Sequence, residues 1–319
     1  MRELKLIAGR SHPSLANEIA ECLNQDVCSI NLGNFASGEI SLRIGESVRG
    51  CDVFIVQTHS ANVNDAIIEQ ALMIDAAKRS SAASITAVCP FMGYARQDRK
   101  SGGREPISAK LVIDILSQAG ADRIMSVDLH SGQIQGFFNG PFDHLIARPI
   151  LEDYMKEHFD TSKLVVVSPD AGRVKSAERF SSDLNCEMAI IHKQRSLVKK
   201  NTVEARYLIG DVKDKICVIT DDMIDTAGTI CAAADLLIEN GAASIFGVAT
   251  HGIFSEPAIE RIEKSAFSQI IVTNTLPSAN EEASSKIKVL SIAPLIANTI
   301  MAIYQGDSVS AIFGGKNQI

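Results

Sequence analysis

The chain has 319 residues, of which 46% are hydrophobic and 22% charged, and its formal net charge is −7. This length exceeds one ordinary small domain and predicts two, and the apolar fraction is sufficient for large cores. The negative charge, the absence of Trp and an aromatic content of 5% argue against non-specific binding to nucleic acid or to anionic membranes.

Strand-like and helix-like segments alternate along the whole chain. The predicted strands are residues 4–8, 53–57, 84–89, 123–128, 163–168, 187–192, 215–220, 244–250, 269–273 and 288–291. The predicted helices are residues 13–23, 63–80, 107–119, 150–159, 173–184, 229–240, 255–264 and 292–305. A hairpin-like stretch, residues 31–43, interrupts the alternation. This pattern predicts an α/β fold made of two similar doubly wound domains with mainly parallel sheets.

A basic loop, residues 90–104, follows the third predicted strand and contains four Arg or Lys residues and three glycines. Such cations offer many hydrogen-bond donors to a polyphosphate, and Arg can bind phosphate oxygens in pairs. The glycines permit a mobile cover. The alternative interpretation is a solvated basic loop without a ligand.

Two further strand ends carry acidic residues. Asp128 and His130 lie two residues apart after the fourth predicted strand, so their side chains share a face and could hold Mg²⁺ or a phosphate. Asp170 and Gly172 form a strand-to-helix turn that suits a diphosphate, with Asp170 available for a metal ion. Alternatively, the histidine is an ordinary surface residue and the turn only caps a helix.

A second basic segment, residues 191–201, follows a strand and contains four Arg or Lys residues. Charge runs are usually solvated. A site that handles pyrophosphate, however, needs positive charge that can close over it, so this segment is interpreted as a basic lid.

The most informative segment is residues 221–229, DDMIDTAGT, between an apolar run and a predicted helix. The N–H groups at a helix N-terminus suit a phosphate, while the carboxylates suit ribose hydroxyls or a divalent cation. The alternative is that Thr226 or Thr229 merely caps the helix. The segment resembles the ribose-phosphate binding loop of the type I phosphoribosyltransferase fold, which is shared by phosphoribosyltransferases and by the enzymes that make their common substrate.

The seven cysteines are odd in number and scattered, and no Cys-x-x-Cys occurs. They predict a reducing compartment, and we expect a cytoplasmic protein. The first residues are typical of a strand rather than of a signal peptide, and no run of 18 apolar residues predicts a membrane span.

Eight stretches, between residues 4 and 313, resemble the ribose-phosphate diphosphokinases, also called phosphoribosyl pyrophosphate synthetases, of the phosphate-activated class. They are residues 44–50 (IGESVRG), 94–98 (YARQD), 106–110 (PISAK), 128–138 (DLHSGQIQGFF), 168–172 (SPDAG), 210–213 (GDVK), 221–229 and 250–254 (THGIF). Phosphoribosyltransferases share only the ribose-phosphate loop. A catalytically silent regulatory paralogue is the other alternative.

The resemblance implies transfer of the diphosphoryl group of MgATP to the anomeric hydroxyl of ribose 5-phosphate, giving 5-phosphoribosyl 1-diphosphate and AMP. It implies ATP contacts from Phe35, Ser37, Gly38, Glu39, Arg96 and Gln97, metal and phosphate contacts from Asp128, His130 and Asp170, and catalysis by Lys193 and Arg195. The implied ribose 5-phosphate residues are Arg195, Asp221, Asp222, Asp225, Thr226, Ala227, Gly228 and Thr229.

Members of this class are hexamers built from dimers, need Mg²⁺ and inorganic phosphate, and are inhibited allosterically by ADP. The residues that match their regulatory anion site are Ser47, Arg49, Ser81, Arg104, Ser308, Val309 and Ser310. Two positions depart from many relatives: Arg173 stands in place of a second glycine, and Ala227 in place of another small residue or Cys. Both leave the geometry of the loops open.

We expect two phosphoribosyltransferase-like domains. The first comprises residues 1–148, onto which a tail of about residues 306–319 packs back. The second comprises residues 149–305 and carries the ribose-phosphate loop. The expected partners are ATP, ribose 5-phosphate and further copies of the chain, with no nucleic acid and no membrane.

Overall fold

The computed structural model describes residues 2–60, 62–194, 205–278 and 281–313. Its strands are β1 (Leu4–Ala8), β2 (Ile30–Asn34), β3 (Ile40–Ile44), β4 (Asp52–Val56), β5 (Ser84–Cys89), β6 (Arg123–Val127), β7 (Phe142–Leu145), β8 (Leu164–Ser168), β9 (Glu187–Gln194), β10 (Ala205–Ile209), β11 (Ile216–Ile224), β12 (Ser244–Gly252), β13 (Gln269–Thr273) and β14 (Ile287–Leu290).

The helices are α1 (Pro13–Leu23), α2 (Val63–Arg79), α3 (Ser108–Ala119), α4 (Arg148–His158), α5 (Val174–Leu184), α6 (Gly228–Glu239), α7 (Ala258–Lys264) and α8 (Ala293–Gln305). None of the helices within the described ranges is both long and apolar enough to cross a membrane.

The chain divides into two compact units. The first contains the residues up to Ile146, Thr275–Pro277 and the residues from Ser291 onward. The second contains Ala147–Asn274 and Ser278–Leu290. The unit boundary thus lies two residues before the expected domain boundary, and α8 groups with the first unit although residues up to 305 were assigned to the second domain.

Packing explains the position of α8. This helix packs against α1, and the Tyr304 hydroxyl donates to the carbonyl oxygen of Arg2 at 2.7 Å. At its other end, the Ser291 hydroxyl donates to a carboxylate oxygen of Glu18 at 2.5 Å. The apolar face of α8 is therefore buried on the first unit. The order of the segments along the chain does not predict this, because α8 follows the strands of the second unit.

The first unit contains a parallel sheet of five strands in the order β1-β4-β5-β6-β7, and β2 and β3 form a separate antiparallel hairpin. The hairpin prediction is confirmed. Strand β7 was not predicted, because its four residues are only partly apolar and two of them, Asp143 and His144, are polar.

The second unit contains a seven-stranded sheet in the order β10-β9-β8-β11-β12-β13-β14, in which only the β9–β10 pair is antiparallel. Side chains alternate between its two faces. Val165 and Val167 of β8 join one buried apolar cluster, while Leu164 and Val166 join another on the opposite face. Because helices cover both faces, the sheet is doubly wound, and the predicted α/β fold class is confirmed.

Candidate active site

The acidic segment begins inside a strand rather than after one. We predicted a strand over residues 215–220 followed by a loop, but β11 runs on to Ile224 and includes Asp221 and Asp222. Its partner β12 is long enough to continue the pairing, with Asp221 opposite Ala249 and Ile224 opposite Gly252. The two carboxylates are therefore carried by a rigid central strand.

Arg173 is paired with both of these carboxylates. Its Nε lies 3.2 Å from Oδ1 of Asp221, and a terminal guanidinium nitrogen lies 2.5 Å from Oδ1 of Asp222. Burial and the neighbouring Asp222 raise the pKa of Asp221 above the usual range of a carboxyl group, and Arg173 opposes that rise. The cluster brings two adjacent carboxylates against one guanidinium, and carboxyl groups with a raised pKa are common at ligand sites.

The loop that follows turns sharply into α6. Ala227 adopts a left-handed conformation with φ of 58° and is the residue that caps the helix, and its side chain has no atom that could cap. Thr226 and Thr229 are exposed on either side of it. The alternative in which a threonine serves as the capping residue is therefore wrong, and the first N–H groups of α6 lack a side-chain cap from that position.

A second arginine braces the loop from α7. A terminal nitrogen of Arg261 donates to the carbonyl oxygen of Thr226 at 2.8 Å. A Cβ atom added to Gly228 would lie 3.2 Å from the same nitrogen, so the glycine allows this close approach. Sequence reasoning missed Arg261, because it lies 35 residues further along the chain in a segment without a motif. Asp225, in the same loop, is half-buried.

The turn after β8 is closed by hydrogen bonds. Oδ1 of Asp170 accepts from the backbone N–H groups of Gly172 at 2.8 Å and Arg173 at 3.2 Å, and the hydroxyl of the buried Ser168 donates to the carbonyl oxygen of Asp170 at 2.7 Å. This turn lies beside the acidic strand, since β8 and β11 are neighbours in the sheet. The predicted diphosphate turn and the predicted ribose-phosphate loop are thus brought together.

The basic lid is described only at its start. Lys193 lies near the end of β9, in register with Arg206 of β10. Arg195 lies outside the described residues, and the prediction for the pair stays as it was.

In the first unit, the predicted adenine-side residues occupy the turn between β2 and β3. Phe35 is 60% exposed, an unusual position for a large aromatic ring. Gly38, with φ of 92°, closes the turn by donating from its N–H to the carbonyl oxygen of Phe35 at 2.9 Å. The Ser37 hydroxyl donates to Glu39 at 2.7 Å. Four predicted residues are therefore grouped on one protruding hairpin.

Arg96 and Gln97 lie on the loop that follows β5. Oε1 of Gln97 accepts from the hydroxyl of Ser108 at 2.6 Å, which ties the loop to the first turn of α3. The start of the loop is held by His59, whose Nδ1 accepts from the N–H of Gly93 at 3.1 Å. The loop is thus anchored on both sides of Arg96.

Asp128 and His130 follow β6. Asp128 has a φ of 37°, which is costly for a residue with a side chain. Nε2 of His144 accepts from the N–H of Leu129 at 2.9 Å and supports this turn from the neighbouring strand. Within the part of the chain that the structure covers, no group of three or more His, Cys, Asp or Glu side chains is arranged to hold a metal ion. The assignment of Asp128, His130 and Asp170 to a metal stays a prediction.

The residues of the predicted regulatory anion site fall into separate groups. A terminal nitrogen of Arg49 donates to the hydroxyl of Ser81 at 3.3 Å, and the N–H of Arg49 donates to the hydroxyl of Ser47 at 3.5 Å. The hydroxyls of Ser308 and Ser310 are 2.9 Å apart. The remaining two members are Val309, which opens a short 3-10 helix, and Arg104, which is exposed on the basic loop with a φ of 66°.

Two family models match the chain. Residues 4–120 match the N-terminal domain of ribose phosphate pyrophosphokinase, and residues 205–314 match the phosphoribosyl synthetase-associated domain. The ribose-phosphate pyrophosphokinase of Streptomyces coelicolor is 52% identical over 98% of this chain and 96% of its own length. The enzyme of that name from Caldanaerobacter subterraneus is 50% identical over 97% of this chain and 98% of its own.

A solved structure is similar as well. The phosphoribosylpyrophosphate synthetase from Mycobacterium smegmatis superposes with a TM-score of 0.90 at 51% identity and covers 96% of this chain and 100% of that one. Sequence identity near 50% over almost the full length of both partners, together with the shared fold, shows that this chain belongs to the ribose-phosphate pyrophosphokinase family.

Proposed function

We propose that this protein transfers the diphosphoryl group of MgATP to the anomeric hydroxyl of ribose 5-phosphate, giving 5-phosphoribosyl 1-diphosphate and AMP for nucleotide biosynthesis. The observation that carries the proposal is the arrangement at the end of β11. There, two carboxylates precede a tight loop and a helix N-terminus whose capping residue has no capping side chain.

This arrangement suits both ends of a ribose phosphate. Carboxylates such as Asp221 and Asp225 accept hydrogen bonds from ribose hydroxyls. The first N–H groups of α6, from Gly228 and Thr229, point along the helix axis toward an anion, and the helix dipole favours a phosphate there. Asp222 and the small residues of the loop complete the proposed binding site.

In the proposed reaction, the protein positions the substrates and stabilises charge, since diphosphoryl transfer needs little covalent chemistry from side chains. Lys193 and Arg195 on the basic lid stabilise charge on the group being transferred. Arg96 and Gln97 hold ATP. The exposed ring of Phe35, with Ser37, Gly38 and Glu39, receives the adenine.

The residues present fit a magnesium ion. Mg²⁺ in ATP-using enzymes is held by one or two carboxylates together with substrate phosphates. In the second unit Asp170 offers such a carboxylate, and two backbone N–H groups orient its Oδ1. In the first unit, Asp128 and His130 stay predicted ligands. A bound ion would supply positive charge that offsets the negative charge of the substrate phosphates.

One assay tests the proposed function. Purified protein is incubated with MgATP and ribose 5-phosphate, and AMP and 5-phosphoribosyl 1-diphosphate are quantified. We expect equimolar formation of both products. Release of AMP without the second product, or no reaction at all, would contradict the proposal, and the latter result would favour the silent regulatory paralogue.

We also propose regulation by inorganic phosphate and ADP in an oligomer of the family type, a hexamer. The supporting observation is that Arg49 already donates to Ser81, so that one guanidinium and one hydroxyl converge on the surface. If phosphate and ADP share the donors of this site with Arg104, then Arg104→Ala weakens both activation and inhibition. Activity is measured against each effector. A wild-type response to both would remove Arg104 from the site.

A further inference from the structure

We propose that Arg173 is a positioning residue for ribose 5-phosphate: its guanidinium holds Asp221 and Asp222 in the orientation that receives the ribose hydroxyls. This inference deepens the proposed function and rests on it. Arg173 stood out in the sequence as a departure from many relatives, and the structure gives it two carboxylate partners.

The backbone of Arg173 is fixed by the turn that precedes it. Its N–H donates to Oδ1 of Asp170 at 3.2 Å, and the same oxygen accepts from Gly172 at 2.8 Å. A Cβ atom on Gly172 would lie 3.2 Å from that oxygen, closer than most contacts of this kind. Arg173 then caps α5, so its side chain starts from a defined point.

The geometry of the sheet brings Arg173 to the acidic strand. Strands β8 and β11 are parallel neighbours with Val167 opposite Ile219, so the turn after β8 lies beside the carboxyl half of β11. Successive residues of a strand project to opposite faces. The guanidinium of Arg173 nevertheless reaches one oxygen of each adjacent carboxylate, because its nitrogens form a wide planar fork.

The contact of Arg173 with Asp221 and Asp222 changes the electrostatics of the two carboxyl groups. Only 24% of the Asp221 side chain and 9% of the Asp222 side chain are exposed, so the electrostatic interaction between the two carboxyl groups is weakly screened by water. The positive charge of Arg173 opposes the repulsion between them. Carboxylate oxygens held in this way suit the hydroxyl donors of the ribose, and the phosphate of the ligand would lie at the far end of the loop.

A lysine could not replace this arrangement fully. An ammonium group is a single point of charge, whereas the guanidinium spans two acceptors at once. We therefore expect Arg173→Lys to retain part of the effect and Arg173→Ala to lose it. Arg179, an exposed residue on the same helix, provides a matched control.

The experiment compares the wild type with Arg173→Ala, Arg173→Lys, Asp222→Asn, the double variant Arg173→Ala/Asp222→Asn, and Arg179→Ala. For each, kcat and both KM values are measured, and binding of ribose 5-phosphate is measured directly by calorimetry. We expect Arg173→Ala to raise the KM and Kd for ribose 5-phosphate about tenfold or more, with KM for ATP and kcat within about threefold of wild type. The KM and Kd of Arg173→Lys for ribose 5-phosphate should lie between those of the wild type and those of Arg173→Ala. Arg179→Ala should match the wild type.

The double variant separates positioning from a structural role. If Arg173 acts through Asp222, the second substitution costs less affinity in the Arg173→Ala background than in wild type. Additive losses, or a fall in kcat with unchanged KM for ribose 5-phosphate, would overturn the inference. If circular dichroism shows that Arg173→Ala is unfolded, Arg173→Lys must still show the selective loss of ribose 5-phosphate affinity. The absence of that loss would likewise overturn the inference.

The same measurements distinguish this inference from the proposed function. A wild-type protein that forms products, with ribose 5-phosphate binding unchanged in Arg173→Ala, would refute only the inference. A wild-type protein that forms no products would refute the function. If it also failed to bind ribose 5-phosphate, both would be refuted.

Discussion

The end of β4 in the first unit and the end of β11 in the second both carry polar side chains, but their partners differ. After β4, Gln57, Thr58 and His59 are each only 1% exposed. Near the carboxyl end of β11, the side chains of Asp221 and Asp222 are 24% and 9% exposed, and both lie against the guanidinium of Arg173.

The polar groups near β4 are matched by other protein groups. The buried carboxylate of Glu69 accepts from the N–H and Nε of Arg10 at 2.6 and 2.7 Å and from Gln57 at 2.9 Å. His59 accepts from Gly93 at Nδ1, and its Nε2 lies 2.8 Å from Oε1 of Gln70. Since that oxygen can only accept, His59 is neutral and donates from Nε2.

The comparison teaches that a polar strand end is not by itself evidence for a ligand. Where the oxygens of a buried carboxylate accept from protein donors, as at Glu69, the group supports the fold. Where two carboxylates are adjacent and one of them has a raised pKa, as at Asp221 and Asp222, the pair suits an external hydrogen-bond donor. Substitutions in the first region should therefore affect stability, and those in the second should affect ribose 5-phosphate binding.

The largest expected effect is that of Glu69→Ala. Removing this carboxylate leaves the hydrogen-bond donors of Arg10 and Gln57 unmatched. We expect the free energy of unfolding to fall by about 3 kcal/mol. This value is at the lower end of the cost of breaking a buried ion pair, because Arg10 is partly exposed. Urea denaturation measures the change, with Glu21→Ala on the exposed face of α1 as control. Equal stability of the two variants would contradict the prediction, as would a tenfold loss of ribose 5-phosphate affinity.

The second prediction concerns pH. Burial lowers the pKa of His59 to about 4, so the folded protein requires its neutral form. The contribution of neutral His59 to the free energy of unfolding is fully present above pH of about 6.5, the ordinary pKa of histidine. It is lost as the pH falls toward 4, and the loss amounts to about 3 kcal/mol. The contribution of Asp221 to the free energy of unfolding depends on pH in the opposite direction. Because its pKa is raised, this contribution is present at low pH and is lost as the pH rises.

Thermal melting between pH 7 and 4 tests this difference. His59→Gln should flatten the loss of stability on acidification, while His158→Gln, at an exposed histidine of α4, should follow the wild type. Asp221→Asn should steepen the loss, because the opposing contribution is removed. An unchanged acid profile in His59→Gln would mean that His59 does not need to be neutral for folding.

A smaller effect is expected from Asp225→Asn in the ribose-phosphate loop. The substitution removes the charge but keeps the shape, so we expect ribose 5-phosphate binding to weaken about tenfold and ATP binding to remain within about threefold. Separate titrations with each substrate measure both, with Asp235→Asn on the exposed face of α6 as control. Equal losses for the two substrates would assign the loop to the wrong ligand.

The smallest effect is expected from Ala227→Gly. The left-handed conformation costs a residue with a side chain about 1 kcal/mol, which glycine avoids. Glycine, however, loses a buried methyl group worth about 0.8 kcal/mol and adds freedom to the unfolded chain. The melting temperature should therefore stay within a few degrees of wild type. Ala227→Val, a branched residue at the same φ, should lower it clearly, and a stable Val variant would contradict the assigned conformation.

Much of this protein follows from local sequence. Apolar runs of five or six residues alternating with amphipathic helices predicted the two doubly wound α/β units, because a parallel sheet needs helices on both faces. The segment at residues 221–229 predicted the ribose-phosphate loop, because acidic residues, small residues and a helix start are encoded consecutively. The hairpin over residues 31–43 was also predicted from its own sequence.

Only the tertiary structure decided the rest, since it depends on residues that are distant in the chain. β11 extends through Asp221 and Asp222 because β12 offers a long partner, which local sequence does not specify. Arg173 is paired with those carboxylates because β8 and β11 are adjacent in the sheet, and Arg261 reaches Thr226 from another helix. Sequence thus determined which chemical groups are present at the strand ends, whereas packing determined which other groups of the protein each of them contacts.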